Sequence, residues 1–149
     1  MTDQALDAAK SRRKAMYEAM LSVERAVQAP TGTGTWGATL LTELADLSEA
    51  LEHHIETVEA GDGIIAKAVK DAPRLDGHGT RLRDDHTALR RAVATATELT
   101  TQAPVPLTDN DAETIRDAVL DLMNGLTRHR YQGSNFVWEA YAVDIGRGA

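Results

Sequence analysis

The segment LLTELADLSEALEHHIETV, residues 40–58, decides the fold. Its apolar side chains recur at spacings of three and four, at Leu40, Leu44, Leu47, Leu51 and Val58, and the gap in that series falls on His54. Spacing of this kind returns every member to one stripe of an α-helix, so the stripe faces a core. Adjacent helical residues point about 100° apart. His54 therefore turns inward, and His53 lies beside the stripe, exposed or supporting its neighbour from outside.

Working outward, Pro and Gly clusters at 30–35 (PTGTGT), 61–63 (GDG), 72–79 (APRLDGHG) and 103–106 (APVP) cut the chain into helix-sized pieces. Thr2 or Asp3 can cap a first helix that reaches about Gln28, and Pro30 ends it. The second covers about Trp36 to Val58. A short helix from Gly63 to Lys70 starts behind an Asp62 cap, and a third long helix spans about Thr80 to Thr101. Thr108, Asp109 or Asn110 caps a fourth, which reaches at least Tyr131. Strand-like alternation is missing and the connections are short. The expected architecture is all-α: one domain over 1–149, an up-down-up-down four-helix bundle with a short extra helix between the second and third.

Composition narrows the partners. A net charge of −7 and a pI near 5.1 argue against nucleic acid, which needs a basic face. The absence of cysteine removes thiolate chemistry and disulfides, so a metal would be held by His, carboxylate or Tyr. The charged start MTDQALDAAKSRRK lacks the apolar centre of a signal peptide, and no run of about 18 apolar residues occurs. A cytoplasmic protein without a membrane partner is expected.

The other seams carry the same irregularity as the second. The third helix presents Leu82, position 86, Leu89, Val93 and Ala96, and the fourth presents Ile115, Val119, Leu122, Leu126, position 129 and, further on, Phe136. Positions 86 and 129 are both histidine. The first helix presents Leu6, Ala9, Arg13, Met16, Met20, Val23 and Val27, without one. In an antiparallel bundle with a rise of about 1.5 Å per residue, His54, His86 and His129 stand at similar heights, and Arg12, Arg13, Met16 and Tyr17 reach the same level. A single histidine on an apolar face is more often a hydrogen-bonded core residue than a ligand. Three at one level need a common partner, because buried imidazoles without one leave polar atoms unsatisfied. The expectation is a metal site.

Carboxylates are scarcer there. Glu59 lies five residues after His54, within reach near a helix end, whereas Glu52 and Glu56 lie off the seam on a solvated face. Asp85 is expected at the rim beside Arg81 or Arg83, and His78 in a glycine-rich turn is a poor ligand. Gly133 either breaks the fourth helix or admits a close approach. Beyond it, Phe136, Trp138 and Tyr141 suggest a packed end-cap or a homodimer surface. The directions of Glu139 and Asp144 are not fixed by any pattern.

The LxxHHxxxxE element at Leu51 to Glu59, the DH pair at Asp85 and His86, and the RHR element at Arg128 to Arg130 with its FVWEAYAVDIG tail resemble the hemerythrin-like family. With the APRL connection at 72–75 they cover about two-thirds of the chain in order. The resemblance implies a four-helix bundle holding non-heme iron, one or two ions, and a role in binding or sensing dioxygen, peroxide or nitric oxide. His54, Glu59, His86 and His129 fit the ligand roles. Met16 and Tyr17, Arg90 and Ser134 stand where the family would place further ligands. Three histidines with Glu59 also form a reasonable mononuclear site for iron, zinc, nickel or copper, with Tyr17, Met16, His53 and Gly133 around it. Two other functions fit the sequence. One is a metal-free bundle acting as an interaction or dimerisation module; the other is a metal-dependent oxidase or oxygenase.

Overall fold

The computed structural model describes the backbone of residues 3–148 and the side chains of residues 4–141. The described residues form a helical bundle without strands, built on four long helices. They are α1 (Asp3–Gln28), α2 (Trp36–Glu59), the eight-residue α3 (Ile64–Asp71), α4 (Asp76–Gln102) and α5 (Asp109–Gly148), with 3-10 turns at Thr31–Thr33 and Pro73–Leu75. None is long and apolar enough to cross a membrane. The Thr2 and Asp3 caps expected for α1, and Asp144, lie outside the described side chains.

The cause of each long helix is the stripe it buries. On α2 all six seam positions from Leu40 to Val58 are buried, His54 included, and on α4 and α5 the seams close in the same way around His86 and His129. On α1, Met16, Met20, Val23 and Val27 are buried, while Leu6, Ala9 and Arg13 are half-buried. Of the three candidate caps for α5, Thr108 serves: its hydroxyl accepts the Asp111 N–H at 3.1 Å and donates to the Asp111 carboxylate at 2.6 Å.

Two helix ends differ from expectation. α4 starts at Asp76, so the glycine-rich segment around His78 is helix and not turn. The reason is close packing: a Cβ on Gly79 would lie 3.1 Å from the Ile65 side chain of α3, so glycine there admits the neighbouring helix. α5 continues through Gly133 without a break, because Phe136 and Ala140 beyond it are buried and reward further helix.

The apolar interior divides into two clusters. One holds Met16, Met20, Val23, Trp36 and the seam from Leu40 to Leu51, together with Leu89, Val93, Val119, Leu122 and Leu126. The other holds Val58, Ile64, Ile65, Leu75, Leu82, Phe136 and Ala140, under the short helix α3. On every helix that carries one, the inward histidine lies between them: His54 between Leu51 and Val58, His86 between Leu82 and Leu89, His129 between Leu126 and Phe136. A polar layer thus separates two dry ones. Gly63 fixes α3 over this layer, since a Cβ there would stand 2.5 Å from the Thr57 carbonyl oxygen and 2.8 Å from that of Val58. Gly63→Ala is expected to cost about 1–3 kcal/mol through overpacking, read as a lower urea midpoint with an unchanged slope.

Candidate metal centre

His54, His86 and His129 arrive from α2, α4 and α5, each under one-tenth exposed, and one ring nitrogen of each lies within 4.8 Å of the others. The Nε2 atoms of His86 and His129 are 3.1 Å apart, and those of His54 and His129 are 3.4 Å apart. All three rings meet edge to face, with centroids 4.6–5.5 Å apart. None can stack away from the shared point.

The outer nitrogens decide which atoms face inward. His86 Nδ1 lies 2.9 Å from the Glu59 carboxylate and His129 Nδ1 lies 3.3 Å from that of Asp85. An ionised carboxylate only accepts, so each Nδ1 carries the proton and donates. In a neutral imidazole the remaining nitrogen is then a bare lone pair. Both rings are held neutral: burial lowers the pKa of His86 to about 3, helped by His129, and burial lowers that of His129 against the opposing pull of Asp85. Two lone pairs therefore point at each other across 3.1 Å with no proton between them. His54 adds a third nitrogen, its own pKa lowered to about 3 by burial and by the facing His86, His129 and Arg13. Its Nδ1 is buried without a hydrogen-bond partner among the described residues. A proton on His54 Nε2 could satisfy His129, but His86 would still face it unpaired.

The donor set fits a cation. Nitrogens each about 2.1 Å from one ion, at angles between octahedral and tetrahedral, lie roughly 3.0–3.4 Å apart. The two short Nε2 separations are 3.1 and 3.4 Å. Carboxylates on the outer nitrogens are the usual supports of metal-binding histidines, fixing tautomer and ring direction.

Glu59 is thus placed behind His86 and not among the three nitrogens, with Arg83 3.7 Å from its other oxygen. Burial raises its pKa, offset in part by Arg83 and Arg90. Asp85 does stand at the rim, 44% exposed, but its partner is His129 and not the Arg81 or Arg83 that its charge pattern suggests. It reaches across to α5 because its neighbour His86 already occupies the inward direction. Met16 is buried in the larger apolar cluster, and Tyr17 is 39% exposed with the Arg130 guanidinium 4.2 Å from its ring centroid. His53 is half-buried beside the group without joining it. Arg90 turns outward to a two-point contact with Glu52 at 2.7 and 2.8 Å, lowering the Glu52 pKa. Ser134 receives a hydrogen bond from Arg13 at 3.2 Å. Glu139, whose direction no sequence pattern fixed, stands 3.7 Å from His78.

Beside the three rings is a cavity of about 50 Å³ bounded by Val58, Ile65, Leu82, Gly133, Phe136 and Val137, and by Lys10 and Arg13 of α1. Outside His129, a cleft of about 290 Å³ between α4 and α5 reaches Asp85. Gly133 neither breaks α5 nor admits a close approach: a Cβ there would meet nothing within 4 Å, so the missing side chain leaves cavity space instead. Arg13 was legible only as an odd member of an apolar seam. Comparison with protein-family models, curated proteins and solved structures finds no match to this chain.

Proposed function

We propose that this chain binds one divalent transition-metal ion, iron foremost, through Nε2 of His54, His86 and His129, and that it binds or senses a small ligand of the dioxygen, peroxide or nitric oxide kind in the adjoining cavity. The observation that carries this is the 3.1 Å approach of two imidazole nitrogens whose protons are committed elsewhere, to Glu59 and Asp85. A buried arrangement of that kind is costly alone and favourable around a cation. The proposed topology is up-down-up-down, as in the hemerythrin-like family, with α3 closing the end nearest the site. A single ion is favoured over two because Met16, Tyr17, Arg90 and Ser134 are engaged in packing, stacking and cross-helix contacts.

A bound ion supplies Lewis acidity and, for iron, a one-electron couple. The chain supplies the rest. Glu59 and Asp85 hold two rings in the ligating tautomer, Asp85 can carry the His129 Nδ1 proton toward the outer cleft, and the apolar walls exclude bulk water. Protein purified without a polyhistidine tag and equilibrated with Fe(II) or Zn(II) is expected to hold one ion per chain by elemental analysis. Less than about 0.2 ion overturns the reading. Asp85→Ala is expected to weaken metal affinity about 10–100-fold by competitive chelator titration while leaving the fold intact.

A second reading, a metal-free interaction or homodimer module, draws on α5. Tyr131 and Trp138 lie one heptad apart and are 72% and 70% exposed, whereas Phe136 is buried. A concentration-dependent dimer by sedimentation, abolished in Trp138→Ser, would support it.

A further inference from the structure

The cavity beside the three imidazoles has an unusual charge inventory. Its polar walls are Lys10, Arg13, His54, His86 and His129, and its other walls are Leu6, Ala9, Gly133 and a set of larger apolar side chains. No carboxylate among the described residues lines it. Glu59 and Asp85 sit behind the rings, on the outer nitrogens. With a divalent ion on three neutral imidazoles, the cavity would gather a buried dication and the half-buried Arg13 guanidinium, with the exposed Lys10 at its edge and no facing anion among the described residues. Charge buried in that way demands a counter-charge.

Arg13 is built into this place. It occupies a seam position of α1 otherwise filled by apolar residues, is half-buried, and hydrogen-bonds through Nη1 to Ser134 of α5. A guanidinium presents five donors in a planar fork, so one hydrogen bond to Ser134 leaves others for a ligand. A volume of about 50 Å³ suits a ligand of about three or four water-sized atoms.

We infer that the cavity is a site for a small monovalent anion of about three heavy atoms, of the azide, nitrite or formate class, held between the metal centre and the Arg13 guanidinium with Lys10 at the edge. This inference rests on the metal reading above and names the charge class of the ligand at that same site. Arg13 is the specificity-determining residue: it favours anionic over neutral ligands of equal size.

The test uses protein loaded with one equivalent of cobalt(II), whose visible absorption reports changes in coordination, titrated separately with azide, nitrite and formate. The parent protein is expected to show saturable spectral changes with all three. Arg13→Gln should weaken each at least tenfold, Arg13→Lys should stay within about threefold of the parent, and Lys10→Gln should show a smaller loss. Cobalt stoichiometry should not change in any variant. Equal anion affinity in parent and Arg13→Gln, or no spectral response in the parent, overturns the anion site while leaving the metal reading intact. A chain that takes up no cobalt overturns both.

Discussion

His129→Leu is expected to abolish the proposed stoichiometric metal uptake and to yield an apoprotein at least as stable as the parent. His129 is the ring whose Nε2 approaches both other Nε2 atoms, so its loss removes both short contacts at once. Affinity should fall by more than the roughly 10–100-fold expected for a supporting carboxylate. Leucine fills a similar volume between the two apolar clusters and removes a buried lone pair. The Asp85 carboxylate it abandons is about half exposed and returns to water at little cost. The gain in the apoprotein is expected to be about 1–3 kcal/mol, read from the urea midpoint in the presence of a chelator. A core histidine without a ligand role would differ in one respect: there would be no metal uptake to lose.

The apoprotein is also expected to lose stability steeply in mild acid. In the unfolded chain the histidines titrate near 6.5, whereas burial holds His54 and His86 at about 3 in the folded state and lowers His129. Below pH 6.5 the unfolded state therefore takes up protons that the folded state refuses, and stability falls with pH through the window from 6.5 to about 3. It is fully present above that window. Several kcal/mol for each of His54 and His86, at about 1.4 kcal/mol per pH unit, is comparable with the whole stability of a domain. Unfolding is expected well above pH 3 in chelator, seen by far-ultraviolet circular dichroism across a pH series. His86→Leu should flatten the dependence by about one proton, and a pH-independent urea midpoint between 7 and 4.5 would contradict the burial of neutral rings. The Glu52–Arg90 pair adds a smaller loss at lower pH, because its carboxylate is held below the ordinary value and must be protonated.

These expectations show how much of the site could be read in the chain. The 3,4 spacing alone turned His54, His86 and His129 inward, because a helix seam is a one-dimensional property of its own segment. Their common level followed from rise per residue and short connections. The carboxylates did not follow. Asp85 precedes His86 on α4 but serves His129 on α5, and Glu59 follows His54 on α2 but serves His86 on α4. A partner on another helix depends on the rotation of both rods, which no single periodicity contains. The glycines near His78 misled for a related reason: Gly79 is there to let α3 approach α4, a tertiary demand that overrides its helix-breaking tendency. Arg13 was visible as an exception in its seam. Its meaning needed the cavity.

The most direct test is long-range ¹H–¹⁵N correlation NMR of the imidazole rings during a Zn(II) titration at neutral pH. In the apoprotein, His86 and His129 are expected as Nδ1–H tautomers with bare Nε2 atoms, and at one equivalent the Nε2 resonances of His54, His86 and His129 should shift together and then saturate, with His53 and His78 unmoved. Nε2–H tautomers for His86 and His129 in the apoprotein, or ring resonances indifferent to zinc, would contradict a metal centre at this layer of the bundle.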